Sequence, residues 1–470
     1  MRPLILFAAF CVLLNGNATY AQTYEESVSA LQNHDLPTAV TGLTKLAEGG
    51  NTEAQNQLGI LYMEGEGVVK NPEKAVEFFR NAGIKGLDVA QLNLGLALAN
   101  GTGIKQDFKE AATWLRKASE QNLPGAKYYL GLLMVDGAGV LQDTNEGLKL
   151  IRQDADQGFE LARNNLGLIL LYRAGDLSNS QDTITWLRIA ADNGVSDAQV
   201  ALGNLLINGN ANLRNEREGV AWFRKSAETG NAISQYNLAV CLFNGIGTSK
   251  DEVEAAHWYR SAAVQGLAAA QYNLGVMLAN AQGTEKNEAE AVSWYRKAAV
   301  QNFVFAQFNL GTMLFDGTGT KKNEMEAVTW YKKAAESGHA KAQNNLGHAL
   351  LEGRGVPKNA KVAMDWFRQA AVQGLPEAQF QLGRMYLRGS VEPRNEKMAY
   401  FWIAVSNSLG YPPAKEMLAT VAGNLNSQDL SKIQADVKAW KPDLRNQQAL
   451  AASFQQQVVK FHTGLVSAEK

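Results

Sequence analysis

A fixed interval of 36 residues governs the chain from residue 51 to residue 410. A Leu-Gly pair marks it at Leu58-Gly59, Leu94-Gly95, Leu130-Gly131, Leu166-Gly167, Leu202-Gly203, Leu274-Gly275, Leu310-Gly311, Leu346-Gly347 and Leu382-Gly383, with Leu238-Ala239 in the one gap. A second series, Phe78, Trp114, Leu150, Trp186, Trp222, Trp258, Trp294, Trp330, Trp366 and Trp402, keeps the same step without insertion or deletion. A short unit that cannot bury its apolar face alone must stack on its neighbours, so the interval calls for an all-α solenoid. Length then counts repeats instead of domains.

Each unit reads as two helices. In the unit Phe303 to Gly338, the first covers Ala306 to Phe315, with apolar residues at helical spacing. The turn Asp316-Gly317-Thr318-Gly319 stops it, because glycine accepts the positive φ that other residues resist. The second helix opens on Asn or Asp at Asn71, Asp107, Asp143, Asn179, Asn215, Asp251, Asn287, Asn323, Asn359 and Asn395, side chains that cap helix N-termini. Three residues on stand Glu110, Glu146, Asp182, Glu218, Glu254, Glu290 and Glu326, acids that the helix dipole favours in a first turn. Small residues at Ala82, Ala118, Ala190, Ser226, Ala262, Ala298, Ala334, Ala370 and Ser406, together with the Leu-Gly glycines, predict close helix approach. The tryptophans are expected to fill the wider spaces beside them.

The combination Ala306-Gln307-Phe308-Asn309-Leu310-Gly311, Gly317-Thr318-Gly319 and Trp330-Tyr331-Lys332-Lys333-Ala334-Ala335 closely resembles the Sel1-like repeat, a relative of the tetratricopeptide repeat. The resemblance covers about Asn51 to Gly410. It implies a right-handed α-solenoid, a superhelix of antiparallel helix pairs. It also implies a role in holding protein partners together, usually without catalysis.

Residues outside the repeats read as caps and a leader. Arg2 precedes an apolar run from Leu4 to Leu14 and small residues before Ala21, the pattern of a secretory signal peptide over residues 1–21. As a helix that run is about 16 Å long, well short of a bilayer core, so no membrane span is expected after cleavage. The expected location is extracytoplasmic: the periplasm of a Gram-negative cell, or the medium. Residues 22–50 resemble a degenerate helical hairpin suited to an N-terminal cap. Residues 411–470 read as C-terminal capping helices, including Asn426 to Pro442, and a polar tail.

Composition narrows the chemistry. Lys plus Arg is 45 against Asp plus Glu 46, with no basic block, which disfavours nucleic acid as a partner. Once Cys11 leaves with the leader, Cys241 is the single cysteine and forms no intramolecular disulfide. The histidines His34, His257, His339, His348 and His462 make no metal-ligand spacing and read as surface or helix-end residues, so no metal or cofactor is expected. Some Sel1-like proteins are associated with β-lactam binding or hydrolysis. The one Ser-x-x-Lys match, Ser467 to Lys470, lacks partner motifs, and the chain lacks those relatives' cysteine pairs, so no catalytic residue is assigned.

The expected function is an exported, non-enzymatic scaffold that binds a protein or peptide in its concave groove. Alternatives are a cell-envelope β-lactam-binding protein or hydrolase, and a carbohydrate-binding component of polysaccharide export. By analogy with tetratricopeptide stacking, the first helices of units six to eight would present Tyr236, Val240, Phe243, Tyr272, Val276, Phe305, Phe308 and Phe315 to that groove. From these, Tyr236, Phe243, Tyr272, Phe305, Phe308 and Phe315 are the candidate partner-binding residues, since buried aromatics commonly anchor interfaces. Two irregularities stand apart. Asp154 occupies the small-residue position, with Leu150 replacing the aromatic, and Arg173-Ala174-Gly175-Asp176-Leu177 replaces a glycine turn.

Overall fold

The computed structural model describes residues 18–173 and 180–453. The leader, Cys11, His462, Ser467 to Lys470, residues 174–177 of the irregular turn and the end of the tail lie outside the described residues, except that residues 18–21 begin the first helix. Among the described residues every regular element is a helix, and none is long and apolar enough to cross a membrane.

The chain divides into two compact units, Met1–Trp222 and Phe223–Lys470. In the first, α1 (Ala18–Gln32) and α2 (Leu36–Glu48) precede four repeat pairs: α3 (Thr52–Glu64) with α4 (Pro72–Ile84), α5 (Asp88–Asn100) with α6 (Phe108–Glu120), α7 (Ala126–Asp136) with α8 (Thr144–Asp156), and α9 (Glu160–Arg173) with α10 (Gln181–Asp192). Helix α11 (Ser196–Asn208) and the start of α12 (Glu216–Glu228) complete it. In the second unit come α13 (Ala232–Asn244) with α14 (Glu252–Val264), α15 (Ala268–Asn280) with α16 (Glu288–Val300), α17 (Val304–Asp316) with α18 (Glu324–Glu336), α19 (Ala340–Glu352) with α20 (Ala360–Val372), and α21 (Pro376–Arg388) with α22 (Glu396–Ser408). Helices α23 (Pro412–Ala422) and α24 (Ser427–Ala439) end it, α24 packing on α22. Within the first unit consecutive helices pack on one another from α1 to α11, and within the second from α13 to α23, as stacked repeats require.

The local chemistry explains the helix limits. Side chains of Asn71, Asp107, Asp143, Asp251, Asn287, Asn323, Asn359 and Asn395 accept from the backbone N–H three residues on, and Asn215 does the same toward Glu218. The fourth unit differs from expectation. There Ser180, one residue after Asn179, caps α10 by accepting from the Thr183 N–H. The paired turn glycines divide the work. Gly317, at φ 79°, ends α17, while a Cβ on Gly319 would lie 2.4 Å from the Glu288 backbone at the start of the preceding unit's second helix. One glycine thus bends the chain and the other lets two units touch. In the unit of α15 the first glycine is replaced by Ala281, which takes the left-handed conformation at φ 56°.

The small positions behave as expected. Ala82, Ala118, Ala190, Ser226, Ala262, Ala298, Ala334, Ala370 and Ser406 are all fully buried. A Cβ on Gly275 or Gly311 would strike the Tyr295 or Tyr331 ring at 2.7 or 2.8 Å. The residue that packs into the glycine notch is therefore the one after each tryptophan.

The tryptophans themselves correct the filler reading. Nε1 of Trp114, Trp258, Trp294 and Trp330 donates to Glu110, Glu254, Glu290 and Glu326 at 3.0–3.2 Å. The same carboxylates pair with Arg80, Arg224, Arg260 and Arg296 of the preceding unit. These first-turn acids thus join units as well as complementing a dipole. Their pKa values lie below the ordinary carboxylate range, chiefly because each accepts from its arginine.

Asp154 is fully buried, and its Oδ2 accepts from the Tyr128 N–H at 2.7 Å. Pro124-Gly125 delays the start of α7 to Ala126, and Gly125 supplies no capping side chain. Asp154, reaching from α8, takes that role. Burial pushes its pKa up, opposed by N–H groups of Tyr128, Gly125 and Lys127. The Lys127 charge also favours the ionised form, so a basic group helps to accommodate it, while its Oδ1 has no hydrogen-bond partner among the described residues. Cys241 is buried and forms no disulfide.

Candidate functional site

The first helices of the second unit carry the aromatic residues singled out from the sequence, and the structure sorts them. Tyr236 on α13 is only 7% exposed and packs on Tyr259 at 5.7 Å between centroids. Burial raises its hydroxyl pKa to about 12. Phe243, half-buried, lies under the Lys250 ammonium at 5.5 Å.

Tyr272, Phe305, Phe308 and Phe315 belong to one continuous track. Tyr272 on α15 meets Phe303 at 5.2 Å and Phe305 at 6.1 Å. Phe305 contacts His339 edge-on at 5.6 Å, and Phe308 tilts over the same imidazole at 4.7 Å. Phe308 and Phe315 both pack on Tyr331, and Phe315 carries the Arg354 guanidinium over its face at 4.1 Å. Phe303 is buried, whereas Tyr272, Phe305, Phe308 and Phe315 are each half-buried. A ring held by such contacts keeps one face fixed and its remaining surface available, which limits the entropy lost when a partner covers it.

His339 differs from a plain surface histidine. Its Nδ1 accepts from the Ala342 N–H at 3.2 Å, capping α19. Burial first, and Lys341 second, push its pKa down to about 4, so the ring is neutral near pH 7. His348 stands edge-on to Phe367 at 5.0 Å, its pKa also lowered by burial. His34 and His257 are exposed. Among the described residues no group of His, Cys, Asp and Glu could hold a metal ion.

Two polar series that support this face were not recognised from sequence. In the first, the Gln of each Ala-Gln pair reaches back to a carbonyl ending the previous helix: Gln235 to Ala227, Gln271 to Ala263, Gln307 to Ala299, Gln343 to Ala335 and Gln379 to Ala371, at 3.0–3.2 Å. Where a second glutamine follows thirty residues later, it donates to the first, as Gln265 does to Gln235, Gln301 to Gln271 and Gln373 to Gln343. In the second series, Asn273 bonds Tyr236 and Tyr259, Asn309 bonds Tyr272 and Tyr295, and Asn345 bonds Tyr331. Asn273 and Asn309 each tie their helix to both helices of the preceding pair, and Asn345 ties α19 to α18. The signal was the recurrence of Gln and Asn at fixed repeat positions.

The chemistry of this track is shape, aromatic surface and a cation, Arg354, over Phe315. A stack of paired helices offering such a face defines a repeat solenoid of the kind typical of protein-interaction scaffolds. The chain belongs to the Sel1 repeat family: ten consecutive matches to the Sel1 repeat cover residues 52–87, 88–123, 124–159, 161–195, 196–231, 232–267, 268–303, 304–339, 340–375 and 376–411.

Among solved structures, it is similar to c5321, a protective antigen present in uropathogenic Escherichia coli strains and displaying an SLR fold. The identity is 30% over 96% of this chain and 95% of that one, with a TM-score of 0.74. A Sel1 repeat protein from Oxalobacter formigenes is 26% identical over 80% of this chain and 98% of its own, with a TM-score of 0.43. A search of curated proteins returned no match.

Proposed function

We propose that the chain is an exported, non-enzymatic scaffold that binds a protein or peptide partner on the first-helix face of its second unit. The observation that carries this reading is the half-buried track of Tyr272, Phe305, Phe308 and Phe315, braced from behind by His339 and Tyr331. Repeat packing requires the glycine notch and the ring that fills it, but it does not require aromatics at Phe305 or Phe315. Other units carry Lys341 and Glu377, or Ala279 and Leu351, at the equivalent positions. Recognition would proceed on a preformed surface, with no bond made or broken.

The leader-like residues 1–21 support an extracytoplasmic site of action, most simply the Gram-negative periplasm. Likeness to a protective antigen is compatible with that location. Fusing residues 1–30 to alkaline phosphatase tests it, since that enzyme matures only outside the cytoplasm; an inactive fusion retained inside the cell would sink the export claim. Binding is tested by selecting displayed random peptides on the immobilised full chain. Peptides retained by the wild type should be lost on Phe305→Ala/Phe308→Ala, and indifference to that change would remove the track from recognition.

A further inference from the structure

The arginines of this chain are mostly committed. Arg80, Arg152, Arg188, Arg224, Arg260 and Arg296 pair between repeats, and Arg173, Arg214, Arg354, Arg368, Arg394 and Arg445 also hold carboxylates. Among the described residues, those without an ion pair are Arg116, Arg163, Arg217, Arg384 and Arg388, and only Arg384 is not fully in solvent.

Arg384 lies on α21 above the ring of Phe380, 5.6 Å from its centroid, and Phe380 in turn contacts Tyr411 at 5.4 Å. Its single hydrogen bond is a long one, 3.3 Å, to the neutral Gln381 amide. The charged group nearest on its own helix is another cation, Arg388, one turn on. On the neighbouring α19, burial and then Arg384 lower the His348 pKa against the pull of Glu352, and Glu352 pairs with Arg354 at 3.9 Å. Burial and then Arg388 depress the Arg384 pKa, opposed by the Tyr411 phenol alone, as expected for a guanidinium partly withdrawn from water without a carboxylate beside it. A half-buried cation of this kind is costly to leave unpaired, and a desolvated guanidinium is strongest toward a planar, singly charged acceptor.

We propose that Arg384, flanked by Phe380, Tyr411 and Arg388, is a carboxylate-binding subsite for the peptide partner. The proposal rests on the scaffold reading and extends the recognition face to α21. Half-buried Tyr411 supplies an apolar wall for the stem that carries the acid, buried Phe380 supports the guanidinium from beneath, and exposed Arg388 adds charge from the solvent side. The acid is either a side chain or a free C-terminus, because both present the same planar group.

The test uses the full chain and three dipeptides: N-acetyl-Phe-Glu-amide, N-acetyl-Phe-Gln with a free C-terminus, and N-acetyl-Phe-Gln-amide. Binding is read from the Arg384 Nε–Hε resonance during titration. At least one acid-bearing peptide should bind about tenfold or more tightly than the neutral one, the gain expected of a charge-assisted bond. The acid that wins identifies the source. Arg384→Gln should abolish the discrimination and Arg384→Lys should restore part of it. Equal affinities for all three peptides, discrimination that survives Arg384→Gln, or tighter binding of inorganic phosphate than of either acid would each overturn the assignment. If Arg384→Gln does not fold, the three-peptide comparison on the wild type still decides. Equal affinities here would leave the Phe305 and Phe308 track standing. Acid discrimination beside an unaltered peptide selection on Phe305→Ala/Phe308→Ala would defeat that track and leave Arg384.

Discussion

Gln301, just past the end of α16, donates its Nε2 hydrogen to the Oε1 of Gln271 on α15 at 2.9 Å, tying together the two helices of one pair. Gln271 meanwhile donates to the Ala263 carbonyl, so one side chain serves three helices. Gln307 holds the corresponding position one unit on, yet Ser337 stands where its second glutamine would be, and its Oε1 has no protein partner. Gln271→Ala should therefore destabilise by about 2–3 kcal/mol and Gln307→Ala by about 1 kcal/mol less. Urea unfolding of the two variants measures the difference; equal losses would show that the relay contributes nothing beyond the bond to the helix end.

Ala281 occupies a left-handed turn position that neighbouring units fill with glycine, such as Gly245 and Gly317. The Cβ strain there is about 1–2 kcal/mol, partly offset by the greater unfolded-state freedom that glycine brings. Ala281→Gly should raise stability by about 0.5–1 kcal/mol. A lowered melting temperature would mean that the alanine methyl is held by packing worth more than the strain.

His339 has a folded-state pKa of about 4, below the ordinary histidine value. Because the unfolded chain then binds the proton more readily, the neutral ring supports the fold fully above about pH 6.5, and that support is lost as pH falls toward 4. Asparagine caps helices well and does not titrate in this range. Melting temperatures measured between pH 7 and pH 4.5 should fall less steeply for His339→Asn than for the wild type. An identical slope would exclude the imidazole as a source of acid sensitivity.

Much of the fold was legible because each unit repeats its instructions: Asn323 to start a helix, Gly317 to stop one, Ala298 and Gly311 where backbones approach. Local signals of that kind act within a few residues, so a linear reading captures them. The Gln271–Gln301 bond and the Arg260–Glu290 pair depend on which side chains the stacking register brings together across thirty residues. Spacing alone did not reveal them, and the tryptophans were assigned to space-filling when five of them also donate to the first-turn glutamates. Asp154 misled for the opposite reason: its unusual identity was plain, but the orphan N–H groups that it serves lie at the start of α7, which the Pro124-Gly125 turn leaves without a capping side chain. Within the candidate face, aromatic character was readable, whereas the split between buried Tyr236 and the half-buried Phe305 was set by packing.

The central claim is that the aromatic track of the second unit binds a peptide. Its most direct measurement is the dissociation constant of one peptide selected on the full chain, compared across the wild type, Phe308→Ala, and Val300→Ala, a change at an exposed residue of α16 away from the track. The account predicts a loss of about thirtyfold or more for Phe308→Ala, the scale of a truncated aromatic anchor, with Val300→Ala unchanged. Equal affinity for the wild type and Phe308→Ala, with both proteins folded, would contradict it.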